Sequence, residues 1–135
     1  MEKFSVKAYI PAEPAAVYEA WLSSDMHSGM TGAKATVSAE EGGSFTAWDG
    51  YISGKNIELK KDVSIVQSWR TTEFAAGDPD SRLEITLKKI KNTTEITLDH
   101  SGIPNRQSKA YIKGWRDFYF KPMKEYFGKN KARGV

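Results

Sequence analysis

Few side chains in this sequence are of the types that catalysis or metal binding requires. The two histidines, His27 and His100, stand far apart, and neither has another histidine or a glutamate at metal-binding spacing. Asp99 and His100 are adjacent on a predicted strand, where neighbouring side chains point to opposite faces, so they do not form a catalytic pair. The chain contains no cysteine, which excludes thiol nucleophiles and thiolate metal ligands. We therefore expect neither a metal centre nor a catalytic dyad.

Two further patterns match active-site motifs only in part. No serine lies in a Gly-x-Ser-x-Gly turn, and a serine without an activating base is a weak nucleophile. The segment from Gly50 to Lys55 is one residue too short between its glycines to be a phosphate-binding loop, and Asn56 stands where that loop needs serine or threonine. The sequence predicts a protein that is not an enzyme and that needs no cofactor.

The remaining candidates are apolar and aromatic, and they favour non-catalytic binding of a small hydrophobic ligand. Such sites have an apolar wall with few polar groups. The candidate residues come from the last predicted helix and from the strands expected to face it: Trp115, Tyr119 and Met123, with Phe45, Trp69, Ile85, Leu98 and His100. The same residues suit a solid core, and His100 suits a buried, hydrogen-bonded imidazole. Both interpretations stay open from the sequence alone.

These side chains can meet only if the surrounding elements bring them together. Residues 3–10 alternate between apolar and polar, which predicts a strand that ends at Pro11. Pro14 suits the first turn of a helix, and apolar residues recur at helical spacing over 14–23. The segment from Ser23 to Ala35 has no sustained period, so we expect a loop or a short helical turn.

Residues 34–101 are a series of short alternating stretches, which predicts a meander of antiparallel strands. The clearest local signal is Asp49-Gly50, a pair favoured in two-residue type I′ turns. This turn places Trp48 opposite Tyr51 and Phe45 opposite the bare backbone of Gly54. Further strands are predicted over 55–60, 63–74, 83–90 and 94–100, with turns at 78–80 and 91–92.

A long helix is predicted from Asn105, as its cap, to about Phe127, with Gly128 ending it. One face is aromatic and must be buried; it carries Tyr111, Trp115, Phe118, Tyr119, Pro122 and Tyr126. The opposite face is basic and carries Lys109, Lys113, Arg116, Lys121 and Lys124. Because proline removes a backbone hydrogen bond, we expect a bend near Pro122 that wraps the helix over a concave surface.

The predicted order of elements is that of an α+β fold, a curved antiparallel sheet of about six or seven strands around a long C-terminal helix, with one or two short helices after strand one. The sequence resembles the family of activators of the 90-kilodalton heat-shock protein ATPase, within the START-like, helix-grip superfamily. The matching stretches are Val17-Tyr18-Glu19-Ala20-Trp21, Gly42-Gly43-Ser44-Phe45 with Asp49-Gly50 and Gly54, Ile65-Val66-Gln67-Ser68-Trp69-Arg70, Thr94-Glu95-Ile96-Thr97-Leu98, Gly102-Ile103-Pro104, and Gly114-Trp115-Arg116-Asp117-Phe118-Tyr119-Phe120 with Tyr126-Phe127.

The resemblance implies a single START-like domain over residues 1–135 and, as an alternative function, a chaperone-associated module in the stress response. A chaperone is then the expected partner, met by the basic helix face. Relative to the better known activators, we expect this chain to lack their separate amino-terminal domain, which takes part in docking the chaperone. The superfamily also contains cyclases and hydrolases, in which His100 would be the residue able to act as acid or base, and this third alternative ranks last.

Charge and hydropathy bear on partners and location. Residues 106–135 hold nine Lys or Arg against two acidic residues, whereas residues 1–105 hold eleven against fifteen. This basic segment is consistent with binding to an acidic protein surface, and equally with a helix face that is simply exposed to solvent. Because the sequence contains no nucleic-acid recognition module, we expect no nucleic-acid partner. No apolar run approaches the roughly 20 residues that cross a bilayer, and the charged start is unlike a signal sequence. We expect a cytoplasmic protein with no membrane partner.

Overall fold

A computed structural model of the protein describes residues 1–133, and of these the side chains up to Lys129. The last two residues of the predicted domain 1–135 lie outside the described residues. The elements, in chain order, are β1 (Glu2–Ile10), α1 (Pro14–Trp21), α2 (Ser24–Thr31), β2 (Thr36–Val37), β3 (Ser44–Ala47), β4 (Ile52–Lys60), β5 (Ser64–Thr71), β6 (Ser81–Ile90), β7 (Thr93–Ile103), α3 (Ser108–Gly114), a π-helical segment (Trp115–Phe120) and α4 (Lys121–Arg133).

The strands form one curved, antiparallel, seven-stranded sheet in the order β1-β7-β6-β5-β4-β3-β2. Each strand from β3 to β7 pairs with the strand before it in the chain, and β7 also pairs with β1, so β1 and β2 are the two edge strands. The helices pack on one face of this sheet, as expected for an α+β helix-grip fold. The predicted fold class is therefore confirmed, including the strand number and the two short helices after β1. No helix among residues 1–133 is long and apolar enough to span a membrane.

The β3–β4 hairpin has the predicted register, with Phe45 paired to Gly54. The turn residues Asp49 and Gly50 have φ angles of 57° and 90°, and the amide of Tyr51 donates to the carbonyl oxygen of Trp48 across 3.1 Å. Positive φ at both central residues is the signature of a type I′ turn. The strand predicted over 55–60 is the second half of β4 and not a separate element.

Helix α2 occupies the segment for which the sequence offered a loop or a short helical turn. The hydroxyl of Ser23 accepts a hydrogen bond from the amide of Met26 across 3.2 Å, which caps the first turn. Gly32, with φ of 82°, ends the helix in the left-handed conformation. Two local end signals therefore define an element whose apolar periodicity is weak.

Both predicted ends of the terminal helix are wrong. Helix α3 begins at Ser108, and Asn105 does not cap it. Instead a carboxylate from the first strand does so, because Oε1 of Glu2 accepts the Ser108 amide across 3.1 Å. Hydrogen bonds from Ser108 and Arg106 lower the pKa of Glu2. Gly128 does not end the helix, since α4 continues to Arg133 and a glycine within a helix costs only about 1 kcal/mol.

The π-helical segment shifts the buried face of the terminal helix by one residue. The buried positions are Tyr111 before the segment, Trp115, Tyr119 and Phe120 within it, and Met123 and Phe127 after it. A π turn holds more residues than the 3.6 of an α turn, so the face that follows it is rotated.

The predicted aromatic face is therefore wrong in its second half. Phe118 is 55% exposed, whereas Phe120 is buried. Pro122 cannot donate a backbone hydrogen bond and crowds the carbonyl group four residues before it. The wider π segment ends at Phe120, two residues before Pro122, and includes Phe118, whose carbonyl group the proline ring would crowd in a regular helix.

Candidate functional site

An apolar groove of about 330 Å³ lies between the terminal helix and the β3–β4 hairpin. We call it the helix–hairpin groove. It is lined by Trp48, Tyr51, Ile52, Trp69, Ala110, Tyr111, Gly114, Trp115, Phe118 and Tyr119. The helix contributes its wall through residues spaced four apart, Ala110, Gly114 and Phe118, while the hairpin contributes Trp48, Tyr51 and Ile52. The sheet closes the groove below through Trp69.

The floor of the groove is held by a chain of hydrogen bonds that passes through His100. The indole N–H of Trp115 donates to Nδ1 of His100 across 3.2 Å. Because Nδ1 accepts, the ring proton lies on Nε2, which donates to Oγ of Ser81 across 2.8 Å. The Ser81 hydroxyl then donates to the carbonyl oxygen of Trp69 across 2.6 Å. This chain fixes one neutral tautomer of His100 and ties the terminal helix to strands β5, β6 and β7.

His100 has the character of a structural histidine. Burial lowers its pKa to about 3, so the imidazole is uncharged at neutral pH. The ring packs edge-on against Trp69, with centroids 4.6 Å apart. Both ring nitrogens are hydrogen-bonded within the protein, Nδ1 to Trp115 and Nε2 to Ser81.

A second buried histidine, His27 in α2, supports the other end of the groove. Its Nδ1 donates to the carbonyl oxygen of Trp21 across 2.9 Å, and its Nε2 accepts from the hydroxyl of Tyr119 across 2.9 Å. Burial lowers the pKa of His27 and raises that of Tyr119, so both groups stay uncharged at neutral pH. No sequence pattern indicates this pair, because the two residues are far apart in the chain and α2 lacks a clear apolar period.

Tyr111 closes the groove on the side of β5. Its hydroxyl lies 2.7 Å from Oγ1 of Thr71 and donates to Oε1 of Gln107 across 2.6 Å. Burial raises the pKa of Tyr111 to about 12. Among the residues that the structure describes, every buried side-chain nitrogen and oxygen has a hydrogen-bond partner. The groove therefore presents apolar surface to a ligand, and none of its described side chains has a buried polar atom without a hydrogen-bond partner.

The match to a family model decides where this chain belongs. The model described as "Activator of Hsp90 ATPase homolog 1-like protein" matches residues 11–128. The chain belongs to this family. Within the described residues the structure contains no cluster of His, Asp and Glu side chains able to hold a metal ion.

Individual members and solved structures agree with this assignment. Activator of 90 kDa heat shock protein ATPase homolog 1 from Homo sapiens is 28% identical over 126 residues, which are 93% of this chain and 37% of the human protein. The chain thus spans little more than a third of that relative. The fold is shared with an HSP90 activator from Plasmodium falciparum, at a TM-score of 0.77 and 22% identity over 89% of this chain and 91% of that one. It is also shared with protein MLL2253 from Mesorhizobium loti, at a TM-score of 0.79 and 18% identity over 95% and 98% of the two chains.

In this member of the Hsp90-activator-like family, the eight predicted ligand-binding residues divide into two sets. Trp69, Trp115 and Tyr119 line the helix–hairpin groove. The other five, Phe45, Ile85, Leu98, His100 and Met123, are buried in the core that supports it. Ligand binding by any of the eight stays a prediction.

Sequence reasoning also missed part of the groove lining, namely Trp48, Tyr51, Ile52, Ala110, Tyr111, Gly114 and Phe118. Two signals were available for them. The hairpin register sets Trp48 opposite Tyr51, and the spacing of Ala110, Gly114 and Phe118 marks one row of the helix on which two residues are too small to fill space. What the sequence could not show is which side of the helix faces the hairpin.

Proposed function

We propose that this domain is a chaperone-associated module that binds the 90-kilodalton heat-shock protein and changes its rate of ATP turnover. The observation that carries the proposal is the family match over residues 11–128, together with a human relative named as an activator of that ATPase. Because the chain spans only 37% of the human relative, the activity of the whole relative is part of the proposal. A cytoplasmic location, expected from the sequence, belongs to it as well.

The surface of the terminal helix suits this role. The basic residues predicted on its outer face, Lys109, Lys113, Arg116, Lys121 and Lys124, are all exposed. Clustered cations at a surface raise the rate of encounter with an acidic partner and weaken in effect as salt increases. The face thus supports a salt-sensitive first contact with an acidic chaperone surface.

ATP turnover by the purified chaperone, with and without this protein, tests the proposal. We expect the rate to change at low salt and to change less at moderate salt. The double variant Lys109→Glu with Lys124→Glu should weaken the effect several-fold. A matched control, Lys61→Glu with Lys88→Glu, reverses two exposed charges, one in the β4–β5 turn and one on β6, and should leave the effect intact. A turnover rate that is unchanged by the wild-type protein removes the proposed activity.

A second candidate function is binding of a small apolar ligand in the helix–hairpin groove, which the volume and the apolar lining favour. Native mass spectrometry of protein purified from its own cells would reveal a molecule that travels with it. We expect an apolar dye such as anilinonaphthalene sulfonate to bind the wild type, and the Gly114→Leu variant, which fills the groove, to bind it at least tenfold more weakly. Equal affinity of the wild type and Gly114→Leu for the dye would show that the dye binds outside the groove, and would contradict the groove as a ligand site.

A further inference from the structure

The helix–hairpin groove is an apolar hollow with an exposed lysine, Lys113, on the helix beside it. We propose that the groove receives one bulky apolar side chain of a partner protein, and that Lys113 contacts a carboxylate flanking that side chain. The inference rests on the proposed function, because it names the surface through which the chaperone-associated module would hold its partner.

The hollow exists because the helix wall lacks side chains where it faces the hairpin. A Cβ atom built on Gly114 meets no atom within 4 Å, so packing does not require glycine at this position. Glycine nevertheless costs a helix about 1 kcal/mol relative to alanine. Ala110, one turn earlier, adds little more bulk. The resulting volume of about 330 Å³ is near the lower limit for small-molecule sites, roughly 300–1,000 Å³, and suits one inserted side chain.

The mouth of the groove exposes aromatic surface to water. Phe118 is 55% exposed and Tyr51 is 39% exposed, although both line the groove. The ring of Phe118 packs edge-on against Trp48 with centroids 5.6 Å apart, which holds Phe118 beside the hairpin. Exposed aromatic groups around a hollow are typical of interaction surfaces whose central anchor is a buried apolar side chain.

The charge beside the groove indicates the chemistry of the partner. Lys113 is exposed and lies about 60° around the helix from Ala110, one of the lining residues. Within the described part of the chain, Lys113 has no carboxylate within ion-pairing distance; on this helix only Arg116 is paired, with Asp117 at 3.9 Å. An occupant with an acidic residue next to its apolar anchor complements Lys113.

Two binding measurements test the inference separately from the proposed function. The first follows binding of the purified chaperone to the wild type and to the variants Gly114→Leu and Lys113→Glu. The matched control is Lys61→Glu, in the turn that follows β4, nine residues or about 30 Å of extended chain from Ile52. The second titrates the labelled protein with a synthetic peptide that has one leucine between two runs of three glutamates. Its control peptides replace the leucine by alanine or the glutamates by lysine, and the readout is the Trp48, Trp69 and Trp115 indole N–H resonances.

We expect Gly114→Leu to weaken chaperone binding about tenfold or more, and Lys113→Glu to weaken it about threefold to tenfold at low salt. Lys113 is exposed, so its variant tests the inference even if Gly114→Leu misfolds. Wild-type binding that neither variant alters would overturn the groove while the proposed function stands. If the chaperone does not bind at all, the proposed function fails, and the peptide titration alone then tests whether the groove binds an apolar side chain with acidic neighbours. Shifts with the leucine–glutamate peptide alone support the groove, whereas equal or absent shifts overturn it. A small molecule that occupies the groove and is not displaced by the peptide also overturns it.

Discussion

Trp115 and His100 join the terminal helix to the sheet through a single buried hydrogen bond of 3.2 Å from the indole N–H to Nδ1. The bond continues through Ser81 to the carbonyl group of Trp69, so one side chain from the helix fixes the positions of groups on three strands. Trp115 and Trp69 are themselves lining residues of the helix–hairpin groove. The shape of the groove floor therefore depends on the neutral form of one imidazole.

Ser81→Ala should destabilise the protein by about 1–3 kcal/mol, because it leaves the Nε2 proton of His100 and the carbonyl oxygen of Trp69 without their buried partner. Chemical denaturation monitored by tryptophan fluorescence measures the change in the free energy of unfolding. Ser5→Ala, at an exposed position on β1, is the matched control and should change stability by less than about 0.5 kcal/mol. An equal effect of the two substitutions would contradict the hydrogen-bond chain.

Stability should fall as the pH is lowered from 7.5 to 5.5. Burial lowers the pKa of His100 from 6.5 to about 3 and also lowers that of His27, so the unfolded chain binds protons in this range that the folded chain does not. The stability that this contributes is fully present only above the unfolded pKa. For His100 the loss amounts to about 1.4 kcal/mol over these two pH units, because its folded pKa lies well below this range, and His27 adds to it. Urea denaturation at the two pH values gives the difference. His27→Gln should reduce it, and a stability independent of pH would show that the imidazoles are accessible to protons in the folded state.

Tyr119→Phe should cost about 1–2 kcal/mol, since Nε2 of His27 would lose its buried donor at 2.9 Å. Tyr9→Phe provides the comparison, because the Tyr9 hydroxyl bonds to Glu95 at the exposed surface and its loss should cost less than about 0.5 kcal/mol. Thermal unfolding of the two variants side by side measures this. A larger loss of stability for Tyr9→Phe would contradict a stabilising contribution from the hydrogen bond between His27 in α2 and Tyr119 in the terminal helix.

Gly54→Ala should destabilise the hairpin that forms one side of the groove. A Cβ atom at this position would overlap the carbonyl oxygen of Ser68 and come within 2.8 Å of the Phe45 ring. Backbone atoms cannot move aside cheaply, so we expect a loss of about 2–3 kcal/mol or failure to fold. Gly77→Ala, where the added atom meets nothing within 4 Å, should be close to neutral. Comparable stability of the two variants would disprove the close approach of β3, β4 and β5 around Gly54.

The features that could be predicted from the sequence were those with a short-range cause. Asp49-Gly50 determined both the turn and the register that pairs Phe45 with Gly54, because a two-residue loop leaves a single alignment of its strands. Alternating residues likewise marked β1 and β7, and the ring-bearing positions marked a long terminal helix.

The features that escaped prediction depend on contacts between distant parts of the chain. The cap of α3 comes from Glu2, at the other end of the sequence, and the partner of His27 is Tyr119. The candidate site was recovered only in part for the same reason. Trp69, Trp115 and Tyr119 were identified from their type and spacing, but which aromatic residues pack solidly and which border a hollow depends on helix placement across the sheet.

The π-helical segment also bears on how members of this family should be aligned. Loss of one residue between Trp115 and Phe120 would convert the wide turn into a regular α turn and would leave Phe120, Met123 and Phe127 on the side already occupied by Tyr111 and Trp115. A single-residue gap at this place would therefore keep the buried face continuous, whereas the same gap within α3 would turn Tyr111 away from Trp115. Among related proteins, insertions and deletions should therefore accumulate between Trp115 and Phe120, where the length of the chain can change while the same side chains stay buried.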